Sequence, residues 1–300
     1  MDPPRRTVSH GLRAGTAEAL SEFPSNVARS GEDIGGMLRL GMVDTSTLIT
    51  CLENYMFLAS QQAPGVVPIA FDGVRGHRSG LRAPLTNLVG ASAPNLTLPD
   101  GSIDAVFDEF SRQNLPFSWL LGPHSPEGTC QRLEQRGMSG FQRLSGLASC
   151  ELGPRSPNAT NARIREARSD ERHSFADVLM ATFELEREVV AFFQTAYWFG
   201  STLSAKNYLA FVDGYREPVA VASSVYDPHA PIVVLAIAAV RAPFRGRGLY
   251  RALVERRLAD AKADGCVAAV VQALPTSSAP ICRRLGFRDV CTQELLCLDE

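Results

Sequence analysis

The 300-residue chain has no strongly basic block, and its formal net charge is only -2. A nucleic-acid partner, which calls for a basic face against the phosphate backbone, is therefore not expected. Lysine is nearly missing: Lys206 and Lys262 are the only two, and arginine carries almost all the positive charge. Metal-type cysteine spacing is missing too. Cys51, Cys130, Cys150, Cys266, Cys282, Cys291 and Cys297 contain no C-x-x-C pair and are odd in number. That argues against a metal site or a disulfide framework and for a reducing compartment. No run approaches the roughly 18 apolar residues of a membrane-spanning helix. Arg5 and Arg6 are followed by no apolar stretch of the kind a secretory leader needs. The expected location is the cytoplasm, with no membrane partner and no metal.

Apolar residues, by contrast, are plentiful enough for sizeable cores, and the length suits two α/β domains. Residues 1–35 are rich in Pro, Gly, Ser and Arg with weak periodicity, and read as a loose leader. From 36 to 152 helical and strand patterns alternate. Asp44 or Thr45 can cap a helix whose apolar face holds Leu48, Ile49, Leu52, Tyr55 and Met56. Val66–Phe71, Leu85–Val89, Phe117–Leu121 and Leu144–Leu152 read as strands, with helices around Ile103–Phe110 and Gly128–Arg136 between them. Residues 153–162 (GPRSPNATNA) are polar, carry two prolines and have no period, which marks a linker. From 163 to 300 the alternation restarts. Helical pieces follow Ser169 and span Glu186–Phe193. Tyr208–Val212 and Val219–Val225 pair across an Asp213-Gly214 turn. Ile232–Val240 is an apolar strand, Leu249–Asp264 a long helix, and Val267–Leu274 a second buried strand. A short helix at Ala279–Leu285 and a strand at Glu294–Leu298 complete the order.

The chemistry concentrates between the strand Ile232–Val240 and the helix that follows. There the chain reads Val240-Arg241-Ala242-Pro243-Phe244-Arg245-Gly246-Arg247-Gly248-Leu249-Tyr250. A helix N-terminus leaves backbone N–H groups without partners and adds the positive end of its dipole. Gly246 and Gly248 let a ligand approach the backbone closely, and Arg245 and Arg247 can add charge-assisted hydrogen bonds. This is an anion site suited to a pyrophosphate. It is neither the G-x-x-x-x-G-K-[ST] loop nor the G-x-G-x-x-G fingerprint, because Arg251 stands where the third glycine would be. Alone, an Arg-Gly-Arg-Gly tract can also be a simple turn.

The run AVRAPFRGRGLYRALVERRLADAKADG, followed by the strand VAAVVQAL and then SSAPICRRLGF, resembles the GNAT superfamily of acyltransferases in order and spacing over about residues 163–298. The resemblance implies an α/β (α+β) fold with a mixed, mostly antiparallel sheet flanked by helices. It implies acetyl-CoA or another acyl-CoA as co-substrate. The backbone of Ala238 and Val240 is expected to pair with pantetheine, and the N–H groups of Arg245, Gly246, Arg247, Gly248, Leu249 and Tyr250 to hold the pyrophosphate. The strand Val267–Leu274 is expected to splay from its neighbour and admit the thioester. An amine then attacks the thioester carbonyl directly, backbone donors stabilise the oxyanion, and a general acid protonates the departing thiolate.

The family often places a tyrosine four residues before the glycine of L-G-F, and here that position is Cys282. Its thiol can donate a proton or can simply fill the core. His229 in the loop Tyr226-Asp227-Pro228-His229 is the candidate base, with a solvated loop histidine as the alternative. Tyr226 is a candidate substrate contact. So is Glu184, which with Glu186 and Glu188 falls where substrate-facing helices of the family lie; a charged helix face can equally be only solvated. In the N-terminal half, PFSWLLGPHSPEGTCQRLEQRGM resembles the last portion of a GNAT domain, but no Arg-Gly-x-Gly loop precedes it. The chain thus resembles a tandem protein whose first domain, 36–152, has lost its CoA loop and whose second, 163–300, keeps it. The expected activity is acyl transfer from CoA to an amine of a small molecule, with a homodimer as an option. The alternatives are a non-catalytic CoA-binding module, or a GNAT-fold enzyme that uses an acyl-carrier-protein donor or decarboxylates an acyl thioester.

Overall fold

The computed structural model describes residues 43–60, 63, 65–92, 96–153, 160–198 and 203–298. The leader at 1–35 and most of the linker at 153–162 lie outside the described residues. In chain order the elements are helix α1 (Thr45–Ser60), strands β1 (Val67–Phe71), β2 (Val74–Arg78) and β3 (Leu88–Ala91), helix α2 (Asp100–Gln113), strand β4 (Ser118–Leu121), helix α3 (Thr129–Glu134) and strand β5 (Met138–Ser149). Then come strand β6 (Arg163–Glu166), helices α4 (Arg172–Phe183) and α5 (Arg187–Trp198), and strands β7 (Ala205–Phe211), β8 (Ala220–Tyr226) and β9 (Ile232–Val240). Helix α6 (Leu249–Ala263), strand β10 (Ala268–Ala273), helix α7 (Ser278–Arg284) and strand β11 (Arg288–Leu298) complete the chain. Asp44 caps α1: its carboxylate accepts the Thr47 N–H at 2.8 Å and the Thr47 hydroxyl at 2.7 Å. No described helix is long and apolar enough to cross a membrane.

Among the described residues eleven strands form one sheet in the order β1-β2-β3-β4-β11-β5-β10-β9-β8-β7-β6. Neighbours are antiparallel except β3 with β4 and β9 with β10. The two halves do not close their own sheets. β11, from the C-terminal half, lies between β4 and β5. β5, from the N-terminal half, lies between β11 and β10. Each half therefore gives its last strand to the other, and no division falls between the halves among residues 43–298.

One face of this sheet carries α1, α4 and α5. The other carries α2, α3, α6 and α7. On the first face, Leu48, Leu52 and Ala59 of α1 pack with Ala196 of α5 over Ala148, Val225, Ile232, Val234, Ala268 and Val270. On the second, Val254, Leu258 and Ala261 of α6 and Ala279, Cys282 and Leu285 near α7 cover Leu147, Val233, Leu235, Ala269, Val271 and Ala273. The alternation of strand side chains between faces makes this division. Helix α1 also ties the halves by hydrogen bonds. The Tyr55 hydroxyl donates to Gln272 Oε1 at 2.9 Å, and Gln272 Nε2 donates to the Leu52 carbonyl at 3.1 Å and to Gln293 Oε1 at 2.7 Å.

Strand β2 (VRGHR) was not expected from the pattern, because it alternates polar residues with small ones. Its polar side chains are nevertheless covered. Arg75 lies 4.6 Å over the Phe57 ring of α1 and donates from Nε to the Ala91 carbonyl at 3.0 Å. His77 is fully buried, stacked 6.1 Å from Phe192, and among the described residues neither ring nitrogen has a hydrogen-bond partner. Burial holds the imidazole neutral, pushing its pKa from 6.5 down to about 4. The neutral form's stabilising contribution is complete above pH 6.5 and is lost as the pH falls toward about 4. The loss amounts to about 3 kcal/mol at pH 4. His77→Phe keeps a ring against Phe192 and cannot protonate. Urea unfolding at pH 7 and pH 4 is expected to show a smaller stability loss in the variant than in the wild type. An equal loss would show that His77 titrates normally in the folded state.

Candidate acyl-CoA site

Three local features converge at the C-terminal end of β9. The first is a splay. β9 and β10 pair only through Ile232–Val234 and Ala268–Val270. Beyond that point β10 stays bonded to β5 through Val271–Ala273, and Leu235–Val240 is left with an open side. The second is a bulge. The register with β8 shifts by one residue between Ala222↔Ala238 and Ser224↔Leu235. Ala236 and Ile237 therefore pack on the same face, that of α1, α4 and α5. The third is the register past the bulge. Arg241 N–H donates to the Val219 carbonyl of the segment leading into β8 at 3.0 Å. Backbone groups alternate in direction along a strand, so those of Ala238 and Val240 face away from β8, into the splay. The Val240 carbonyl is taken by Arg245 Nε at 3.2 Å. Its N–H and both groups of Ala238 remain on the open side.

The loop follows at once. Gly246 and Gly248 adopt φ of +77° and +78°, and Gly248 is the N-cap of α6. A β-carbon at Gly246 would meet nothing within 4 Å, and one at Gly248 would come only within 3.9 Å of Thr160 Cβ. The glycines thus serve the left-handed turn and leave open space over the first N–H groups of α6. Arg245, Gly246, Arg247 and Gly248 are exposed, with Arg247 resting 5.2 Å over the buried Phe244 ring. Unpaired N–H groups, the dipole of a 15-residue helix and two arginines beside open space fit a pyrophosphate. Among the described residues no group of three or more His, Cys, Asp or Glu is placed to hold a metal ion.

Between α6 and α7, beside the splay, the Tyr250 hydroxyl lies 3.5 Å from Cys282 Sγ. Both pack into the cluster that includes Leu235, Val271 and Ala273, where the strands part. Cys282 is fully buried, and burial pushes its thiol pKa up. Beneath them lies Arg257, also fully buried. Its Nε donates to the Leu253 carbonyl at 3.2 Å and its Nη1 to the Ser223 carbonyl at 3.1 Å, while Nη2 has no partner among the described residues. Ser223 sits opposite the β9 bulge, so Arg257 also ties α6 to β8 beside the bulge. Sequence reasoning passed over Arg257, yet a signal was present. Tyr250, Leu253, Val254, Arg257, Leu258 and Ala261 share one face at helical spacing, which places a charge on an apolar stripe.

Two other expected site residues lie elsewhere. His229 belongs to the loop before β9, whereas the cofactor loop follows its far end. Nine residues of strand separate them by about 26 Å. The His229 N–H is held by Asp227 Oδ1 at 2.8 Å in a local turn. His229 is therefore not placed to deprotonate an amine at the splay. Tyr226 lies at that same distant end, where its hydroxyl donates to Asp264 Oδ2 at 2.6 Å beside the Lys206–Asp264 ion pair, also 2.6 Å. It locks the end of α6 to β7 and β8 and does not face the splay. Glu184 is placed differently. It is exposed and left-handed (φ 55°) at the end of α4. The next residue, Leu185, packs with Ile237 and Ala239 of β9. Glu184 thus lies on the sheet face opposite α6.

A splayed parallel strand pair, a bulged strand and an exposed, glycine-capped helix N-terminus thus meet at one end of β9. Residues 172–287 match the acetyltransferase (GNAT) family model, so this part of the chain is a GNAT-family domain. No curated protein matches the sequence. Among solved structures, the chain is similar to a GCN5-related N-acetyltransferase from Kribbella flavida. That likeness has TM-score 0.62 and 16% identity, and covers 86% of this chain and 96% of that one. A second, from Sphaerobacter thermophilus, has TM-score 0.57 and 13% identity, covering 75% and 76%. A tandem GNAT protein from the clavulanic acid biosynthesis pathway has TM-score 0.53 and 12% identity, covering 84% and 94%. At these identities the likeness is one of fold, and it extends over both halves.

Proposed function

We propose that this protein transfers an acetyl or similar acyl group from acyl-CoA to an amine of a small molecule. The observation that carries the reading is the meeting, at one end of β9, of an open splay, a one-residue bulge and a glycine-rich loop that opens a helix N-terminus. The N–H groups from Arg245 to Tyr250 hold the pyrophosphate, with Arg245 and Arg247 at its rim. The outward backbone groups of Ala238 and the Val240 N–H serve the pantetheine arm. Backbone donors at the bulge steady the oxyanion as the amine adds. The acceptor enters on the face of α4 and α5, where Glu184 attracts a cationic amine.

Acetyl-CoA is expected to bind in calorimetry. A panel of amino acids, polyamines and aminoglycosides is then screened for CoA release. A primary amine should accelerate release well above the rate with acetyl-CoA alone. Binding with no release from any amine would instead favour an acyl-carrier-protein donor or a non-catalytic CoA-binding module.

A further inference from the structure

The fully buried Arg257 poses a problem. A guanidinium out of water costs several kcal/mol unless an anion accompanies it. Here it has two carbonyl acceptors and one unpaired nitrogen, and among the described residues no carboxylate bonds to it. The groups whose charges act on it are protic ones: Tyr250 first, then Cys282 and Tyr208. Tyr250 and Cys282 are themselves in contact at 3.5 Å. The pair lies on the α6–α7 side of the splay, against the residues where β9 and β10 part. A cation is thus stored behind two proton donors, beside the strands that the acyl-CoA reading assigns to the thioester.

We propose that the Tyr250 hydroxyl, positioned by Cys282 and backed by Arg257, is the proton donor to the leaving sulfur. The assignment rests on the acyl-CoA reading of the loop and deepens it. As the new C–N bond forms and the C–S bond breaks, the electron pair of that bond goes to sulfur. Tyr250 gives sulfur its hydroxyl proton and becomes a tyrosinate. Arg257 balances that charge. The proton released by the acylated amine returns to the tyrosinate through solvent, so the cycle closes as thioester plus amine to amide plus thiol. Cys282 keeps the tyrosine ring in place and does not itself transfer the proton. Arg257 is a positioning residue that acts through Tyr250. The other ionisable groups that act on this cluster are Tyr208 from β7 and Arg283 from α7.

The test reads the sulfur directly and needs no acceptor. CoA bound to the full-length protein is titrated by thiolate absorbance, with desulfo-CoA as the blank that removes the protein's own cysteines. A hydrogen-bond donor backed by a cation favours the thiolate, so bound CoA is expected to titrate about one pH unit below free CoA. Tyr250→Phe should bind CoA within about threefold of wild type and lose most of that shift. Arg257→Met should lose it in part, and Cys282→Ala should keep most of it. Tyr250→Phe is the decisive variant, since it preserves the ring even where Arg257→Met does not fold. A bound thiol that titrates as free CoA does in the wild type would overturn the proposal. So would a shift kept in Tyr250→Phe and lost in Cys282→Ala, which returns the role to the thiol. If neither CoA nor desulfo-CoA binds, the acyl-CoA reading itself fails, and the proposal with it.

Discussion

Gly248→Glu is expected to weaken acetyl-CoA binding at least 100-fold, about 2.7 kcal/mol, while the protein stays folded. Gly248 is the N-cap of α6 at φ +78°. A side chain there meets only Thr160 Cβ at 3.9 Å, so no clash follows. The left-handed backbone costs a non-glycine residue about 1–2 kcal/mol. A carboxylate at a helix N-terminus returns part of that through the dipole. The same interaction destroys the site, because the new carboxylate occupies the N–H groups and the positive field that a pyrophosphate requires. Gly248→Ala separates the two effects. It carries the backbone strain without the charge and should bind within about tenfold of wild type. The comparison is made by calorimetry at fixed ionic strength, since an exposed anion site is screened by salt. An unchanged Kd in Gly248→Glu would remove the pyrophosphate from this loop.

The loop and its flanking elements were legible because each rests on a local rule. A run of nine apolar residues suits a covered strand, and β9 is Ile232–Val240 as read. The helix after Gly248 begins at Leu249 because glycine permits the turn that starts it. What could not be read depends on partners distant in sequence. Strand β2 carries Arg75, His77 and Arg78, and Phe57 from α1, Phe192 from α5 and Glu109 from α2 make such a strand coverable. The bulge of β9 is a relation between two strands and leaves no mark in IVVLAIAAV. His229 was chosen for its titration range, which says nothing about the end of the strand it occupies. The contact between Tyr250 and Cys282 joins residues 32 apart. Cys282, at the place of the family's tyrosine, reads as a proton donor or a core residue, while a tyrosine stands in the first turn of α6. The strand exchange was hidden for the same reason: β5 and β11 take partners from the other half of the chain, and nothing local says which half each completes.

That exchange predicts the largest effect of all: residues 163–300, expressed alone, should fail to fold into a domain that binds acetyl-CoA. In the intact chain β11 pairs with β4 on one side and β5 on the other, and both neighbours belong to the first half. The fragment would leave β11 with no partner strand, although Leu295 and Leu296 are 1% exposed in the native sheet. It would also strip β5 from β10 through Ala269–Ala273, the stretch that holds β10 away from β9. Without β5 to bond to, β10 can close onto β9 and seal the splay, or its unpaired edge can capture another chain. Loss of α1 uncovers Ala268 and Val270 and removes the Tyr55 and Leu52 contacts to Gln272. These changes together exceed what a typical domain stability of about 5–15 kcal/mol can absorb. The expected result is an insoluble or non-cooperatively unfolding fragment, seen by circular dichroism in urea. Co-expression with residues 43–153 should restore a soluble one-to-one complex with acetyl-CoA affinity, because the two pieces together hold every described strand. A monomeric 163–300 fragment that unfolds cooperatively and binds acetyl-CoA would mean that β11 can turn back onto β10, and that the exchange is a choice of the full chain and not a requirement of the fold.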